Sequence, residues 1–223
     1  MKIGVISDAH GNVCGLRKCI DSLQDAGVDE ILHLGDSVGY FPDANEVLQE
    51  LESARAVCLM GNHEAMLLGL LELEETKDKD YRIAESRARI SGRSLNRISG
   101  WVPFCERTVD GRRLLFVHGS PWDPLNGYIY PDSDLRMFGN LEFDSVFMGH
   151  THLPFKSQVC NVLVANAGSC ALPRDHGSLL SSLIYDTERS VCEIVRIRYD
   201  VEEIVERYGA KISKIVLDCL MRK

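Results

Sequence analysis

Apolar runs in this chain stop repeatedly on polar residues. KIGVIS (2–7) runs into Asp8 and His10, EILHL (30–34) into Gly35 and Asp36, and AVCLM (56–60) into Gly61, Asn62 and His63. Short Val/Ile/Leu-rich runs of this kind read as strands buried on both faces. Between them, helical spacing extends from about Val13 to Ala26, closed by Gly27, and from about Pro42, a residue suited to the first helical turn, to Ala54. The order β-α-β-α-β predicts a parallel sheet with helices packed on it. Positions 64–99 read as helical, interrupted by the charged run ELEETKDKDY, which reads as a solvated face or loop. Beyond Trp101 the pattern changes to strands at 112–119, 144–149, 155–159, 162–167, 178–186 and 192–199, several alternating as in a half-buried antiparallel sheet. The tail, 201–223, reads as an amphipathic helix broken near Gly209. The expected fold is α/β: a four-layer α-β-β-α sandwich of two mixed sheets flanked by helices, one domain over 1–223 with a helical insert at about 64–99.

Composition narrows the function. A chain of 223 residues suits one α/β domain and is short for two. A net charge of −8 repels nucleic-acid backbones, so no nucleic-acid binding is expected. Phosphorylated small molecules stay open, because a metal site supplies positive charge locally. The first apolar run is interrupted by Asp8 and His10 and reads as a strand rather than a signal peptide. No segment approaches 18 uninterrupted apolar residues, so no membrane association is expected. The eight cysteines, none in CxxC spacing, read as reduced thiols of a cytoplasmic protein.

The polar residues at the strand ends carry the chemistry. Besides Asp8, His10, Asp36 and Asn62, later strands end on His118 in VHG and on His150 and His152 in GHTH. Ligands in open α/β sheets collect outside the carboxyl ends of strands, and glycines beside these positions let backbone approach closely. Seven candidate ligands are too many for one four-coordinate ion and suit two ions that share a carboxylate. A nitrogen and oxygen donor set without thiolate suits Mn, Fe, Co, Ni or Zn. Two such ions about 3.5–4 Å apart clamp both oxygens of an in-line phosphoryl displacement. His33, inside a strand, reads as a core histidine, and His176 as a loop histidine.

The ordered set DxH (8–10), GD (35–36), GNHE (61–64), HG (118–119) and GHTH (149–152) resembles the calcineurin-like metallophosphoesterases, and NAGSCALPRD (166–175) resembles a later element of their small bacterial and archaeal members. The resemblance implies a two-sheet sandwich and two divalent ions. Asp8, His10 and His152 would hold one, Asn62, His118 and His150 the other, and Asp36 would bridge them. It implies hydrolysis of a phosphomonoester or phosphodiester by a hydroxide bridging the ions, with His63 as general acid or transition-state stabiliser. Glu64 is expected to support His63 or to serve as a helix N-terminal acid, and Asn12 to fix the site's turn. Catalytically silent scaffolds on this fold lose the histidine after the asparagine, whereas here His63 is present. Relatives acting on protein phosphates or dinucleoside polyphosphates often carry an arginine after the GD motif, where this chain has Ser37, Val38 and Gly39. Tyr40, Trp122 and Arg174 are the expected substrate contacts, with Tyr128 in the same loop as Trp122. The insert and the terminal helix are candidate surfaces for self-association.

Overall fold

The computed structural model describes all 223 residues. Two five-stranded mixed sheets pack face to face. In the first, β1 (Lys2–Ile6), β2 (Glu30–His33) and β3 (Val57–Cys58) run parallel, joined through α1 (Val13–Asp25) and α2 (Ala44–Ser53). The second carries β4 (Phe104–Val109), β5 (Arg112–Val117), β6 (Ser145–Met148), β7 (Phe155–Val159) and β8 (Val162–Asn166), in the order β4-β5-β6-β8-β7 with β5, β6 and β8 parallel. The chain then returns to the first sheet as β9 (Leu179–Asp186) and β10 (Val191–Arg198), antiparallel beside β1. Strand alternation sorts the core. Ile3, Val5, Leu32 and Leu34 meet Leu114, Phe116 and Phe147 between the sheets. Ile6 and Ile31 face the other way, onto Leu16, Ile20 and Leu23 of α1.

Helices α7 (Val201–Tyr208) and α8 (Lys214–Leu220) complete the layer on the first sheet, parted by a 3-10 turn at Gly209–Lys211. The outer face of the second sheet is covered mainly by the loop over 119–143 and its 3-10 turn, Arg136–Asn140, with Phe138 buried on Val117 and Val146. No helix is long and apolar enough to cross a membrane.

Three elements differ from expectation. Strand β4 is missing from the sequence reading, because it lies at the sheet edge with only alternate residues half-buried and carries Glu106, Arg107 and Thr108. The turn after it, Asp110 (φ 49°) and Gly111 (φ 76°), is the Asp-Gly hairpin signal. Helix α2 starts at Ala44 rather than Pro42, since the Asp43 carboxylate accepts from the Tyr208 hydroxyl (2.7 Å) and Arg207 (3.1 Å) of α7 instead of capping its own helix. The insert contains four short helices: α3 (Asn62–Leu68), α4 (Glu75–Tyr81), α5 (Ile83–Arg89) and α6 (Gly92–Ile98). Seven of the ten residues of the charged run are thus helix rather than loop. Helix α4 buries no residue completely and is stopped by Arg82 in the left-handed region, while the Asp78 carboxylate caps the next helix through the Ile83 N–H at 2.7 Å.

Candidate metal centre

Five of the six parallel strands deliver the candidate residues to one edge of the sandwich. Residues 8–12 follow β1, 34–37 follow β2, 59–63 follow β3, His118 follows β5, and 149–152 follow β6. The loops brace one another through backbone: Asp8 N–H donates to Gly35 O (3.0 Å), His10 N–H to Asp36 O (2.9 Å), and Gly149 N–H to His118 O (3.0 Å). The loop geometry is strained. Asp8, His10, Asp36, His150 and His152 all sit in the left-handed backbone region, with φ of 59°, 46°, 59°, 66° and 61°. Each such residue costs on the order of 1–3 kcal/mol, which the surrounding hydrogen bonds and packing must offset.

All seven expected ligands converge and are buried. The donor atoms of Asp8, His10 and His152 lie within 4.8 Å of one another, as do those of Asp36, His118 and His150. Asn62 joins the second group, its Oδ1 at 3.0 Å from His118 Nε2. Asp36 faces both groups, with Oδ2 3.7 Å from His10 Nε2 and Oδ1 3.5 Å from His118 Nε2.

The fit to cations rests on where the protons are. His10, His118 and His152 each point Nδ1 at a backbone carbonyl: Val38 O (3.2 Å), Leu34 O (3.1 Å) and Leu172 O (2.6 Å). A neutral imidazole that donates from Nδ1 presents a lone pair at Nε2. Yet His10 Nε2 and His152 Nε2 stand 3.0 Å apart, and His118 Nε2 lies 3.0 Å from the Asn62 amide oxygen. Acceptors aimed at one another at that distance are explained by cations between them. The carboxylates agree: Asp8 Oδ2 accepts from His150 N–H (3.0 Å), but its Oδ1 is buried with no hydrogen-bond partner. Burial pushes His150 down to about 4 and His152 down to about 3, and pushes His118 well below the usual histidine range, so these rings are neutral at pH 7 and able to bind a cation. Burial, then the Glu64 and Asp8 carboxylates, push Asp36 well above the usual carboxylate range, whereas at Asp8 burial is outweighed by the surrounding histidines, which hold it well below.

The remaining candidates separate. His63 lies beside Asp36, its Nε2 3.8 Å from Oδ2, and its Nδ1 meets Val38 O at 3.1 Å. Its backbone N–H donates to Asp36 Oδ1 at 2.8 Å. Burial first, then His10, His118 and His152, hold its pKa well below normal. Glu64 makes no hydrogen bond to the His63 side chain; of its two expected roles it takes that of the helix N-terminal acid, accepting from Gly61 N–H at the start of α3. In all, its fully buried carboxylate accepts from Asp36 N (2.8 Å), Ser37 N (2.6 Å), Ser37 Oγ (2.7 Å), Val38 N (3.3 Å) and Gly61 N (2.8 Å). It therefore fixes the backbone that carries Asp36. Asn12 caps α1 by accepting from Gly15 N (3.1 Å) and donates to Ala171 O (3.2 Å), tying the DxH loop to the segment before Arg174.

Tyr40 packs against the rings of His10 (4.7 Å) and His63 (5.1 Å), which also meet each other at 4.6 Å, and Arg174, beside the Tyr40 hydroxyl, is the one arginine or lysine lining the recess. Trp122 does not reach it. Its ring packs edge-on against Phe138 at 4.9 Å and lines a separate apolar hollow with Phe104 and Leu141, because the chain turns back through Ser120 N–H to Asp123 O (2.9 Å). Tyr128 occupies the rim instead, its ring 4.1 Å from that of His150. Tyr81, at the end of α4, has no strand-end signal in the sequence, yet its ring lies 4.8 Å from that of His63 and its carbonyl accepts from Tyr40 N–H at 2.7 Å. Supporting residues also come from the segment after β8: Ser169 Oγ donates to Asp8 O (2.7 Å), and Asn166 Nδ2 to Gly149 O (2.7 Å). His33 is buried, with Nδ1 accepting from Gly35 N (3.3 Å) and Nε2 without a partner, so it is only half satisfied.

Two glycines are required by the geometry. Gly39 has φ 95°, and a Cβ there would stand 2.2 Å from His63 Nδ1. Gly61 has ordinary φ, but its Cβ would stand 2.2 Å from Asp36 Oδ1. Gly61→Ala is expected to lower stability by about 1–3 kcal/mol through overpacking, read as a lower urea midpoint with unchanged slope.

The profile of the calcineurin-like phosphoesterase superfamily domain matches residues 1–190. An uncharacterised protein of Methanocaldococcus jannaschii is 29% identical over 224 residues, covering 92% of this chain and 90% of that protein. A phosphodiesterase of the same organism is 27% identical over 172 residues, covering 76% of this chain and 84% of its own length. The crystal structure of a metallophosphoesterase from Sphaerobacter thermophilus has a TM-score of 0.80 at 25% identity, covering 99% of this chain and 98% of that one.

Proposed function

The chain belongs to the calcineurin-like phosphoesterase superfamily, and from that premise we propose that it is a phosphoesterase working with two divalent ions. The observation that carries this reading is the pair of facing acceptor groups, His10 with His152 and His118 with Asn62, spanned by the two oxygens of Asp36. Asp8, His10 and His152 would hold one ion, Asn62, His118 and His150 the other, and Asp36 both. Mn, Fe, Co, Ni and Zn all suit this donor set. Bound there, such ions polarise phosphoryl oxygens and lower the pKa of water at the site.

The chain's own residues do the rest. The carbonyls of Val38, Leu34 and Leu172 fix which nitrogen is free on His10, His118 and His152. The Arg174 guanidinium offers planar paired donors to a phosphoryl oxygen, and Tyr40 packs against both His10 and His63, holding their rings in place. His63, its Nδ1 at Val38 O, is oriented to deliver a proton from Nε2 to the leaving oxygen or to stabilise charge there. A small phosphomonoester or phosphodiester is the substrate this arrangement suits.

The test is metal analysis of protein dialysed against Mn, Co, Ni, Zn and Mg, with a panel of activated mono- and diesters. Two ions per chain and turnover of at least one ester class are expected. Two bound ions with no turnover anywhere on the panel would favour a silent scaffold.

A further inference from the structure

Beside the recess lies a groove of about 360 Å³ that shares Asn62, Tyr81 and Tyr128 with it. Met66 and Leu71 give it an apolar base, and Glu72, Glu74 and Lys77 of the insert form its lip. Its walls are aromatic. The Tyr81 ring is 4.8 Å from that of His63. Opposite, the Tyr128 ring packs on His150 at 4.1 Å and stacks with Tyr130 at 5.8 Å and 11° between planes. Tyr128 and Tyr130 remain 49% and 39% exposed, so a run of flat rings leads from a candidate metal ligand to the surface. The lip is acidic: the Lys77 ammonium already meets Glu74 Oε1 at 2.6 Å, which leaves the charge of Glu72 uncompensated. Positive charge is thus placed in the recess by Arg174 and by any cations the ligand cluster holds, and negative charge in the groove.

We propose that this groove holds the leaving alcohol of the ester, and that the alcohol is flat and uncharged, of the nucleoside class. The proposal rests on the phosphoesterase reading above. A proton delivered from His63 goes to the leaving oxygen, and Tyr81 joins His63 to the groove, so the leaving group extends into it. Ring faces suit stacking of a base. Glu72 and Glu74 accept from sugar hydroxyls and oppose a second phosphate. An ester whose leaving group is itself phosphorylated would set like charges together at this lip.

Two measurements test it on the metal-loaded full chain. Adenosine alone, followed by isothermal titration, should bind wild-type protein. Tyr128→Ala should raise its Kd at least fivefold, while Tyr128→Phe, which keeps the ring, stays within twofold. Trp122→Ala, in the separate hollow, should leave the Kd unchanged. Second, the ratio of kcat/KM for adenosine 5′-monophosphate to that for adenosine 3′,5′-bisphosphate should fall at least tenfold in the double variant Glu72→Lys, Glu74→Lys. Adenosine binding that ignores Tyr128, or a ratio unmoved by the charge reversal, overturns the proposal. Turnover of p-nitrophenyl phosphate separates the two readings. Turnover without adenosine binding sinks the groove assignment alone, whereas Tyr128-dependent adenosine binding without any turnover sinks the phosphoesterase reading and keeps the groove.

Discussion

Asp36→Asn is expected to lower kcat/KM by about 10³–10⁴-fold and to reduce bound divalent ions from two per chain to one or none. Asp36 is the residue whose two carboxylate oxygens face the two histidine groups, at 3.7 Å and 3.5 Å from His10 and His118. Asparagine keeps the shape but offers one oxygen and no charge. Losing the paired cations removes several kcal/mol of transition-state stabilisation, at about 1.4 kcal/mol per factor of ten. Thermal melts distinguish this from simple unfolding. Burial and the nearby Glu64 and Asp8 raise the Asp36 pKa, so the folded chain without cations holds this proton more tightly than the unfolded chain does. The stability that Asp36 contributes is then present at low pH and lost as pH rises past the unfolded carboxylate value. In chelator-treated protein at pH 7 the variant should therefore melt at or above wild type. With metal it should melt below. An Asp36→Asn protein that retains two ions and near-normal turnover would remove the bridging role.

The cluster of candidate ligands is legible in the sequence because each member lies within a few residues of the end of an apolar run that the fold uses as a strand, and parallel strands bring those ends to one edge. What sequence position does not encode is direction beyond the backbone. His63 and Glu64 are neighbours on α3, but successive helical side chains point about 100° apart, so Glu64 reaches back to the loop of Asp36 while His63 faces the recess. Trp122 and Tyr128 share one loop, and a turn closed by Asp123 puts them on opposite sides of it. Tyr81 belongs to a run dominated by charge, so nothing local separates it from solvated neighbours. The left-handed backbone at five candidate ligands is also invisible to pattern reading, since Asp and His reach that region more readily than most residues but no local pattern says which of them do. Strand β4 escapes for the opposite reason: at a sheet edge it needs little apolar surface, and only the Asp-Gly turn after it betrays the hairpin.

His63→Gln is expected to lower kcat by about 10²–10⁴-fold while leaving two ions bound, the range lost when a positioned proton donor is removed. The ordinary chemical guess for the GNHE segment is the reverse, with the histidine on the metal and the asparagine in the turn. The geometry favours the asparagine as ligand. Its Oδ1 is 3.0 Å from His118 Nε2 in the Asp36, His118 and His150 group, whereas His63 shares its group only with His10 and Asp36, both already facing other candidate ligands, and its Nε2 stands 3.8 Å from Asp36 Oδ2. Asn62→Ala should accordingly lose an ion and raise the metal concentration needed for half-maximal activity, a change His63→Gln should not make. The pH profile supplies the second readout. A proton donor must be charged to act, so wild-type kcat should fall as pH rises through the pKa that His63 has with substrate bound. Glutamine does not titrate, and His63→Gln should lose that alkaline limb while keeping its lower plateau. Loss of an ion on changing His63 to Gln, or an alkaline limb that survives the change, would return the histidine to the metal and leave the leaving oxygen without its proton.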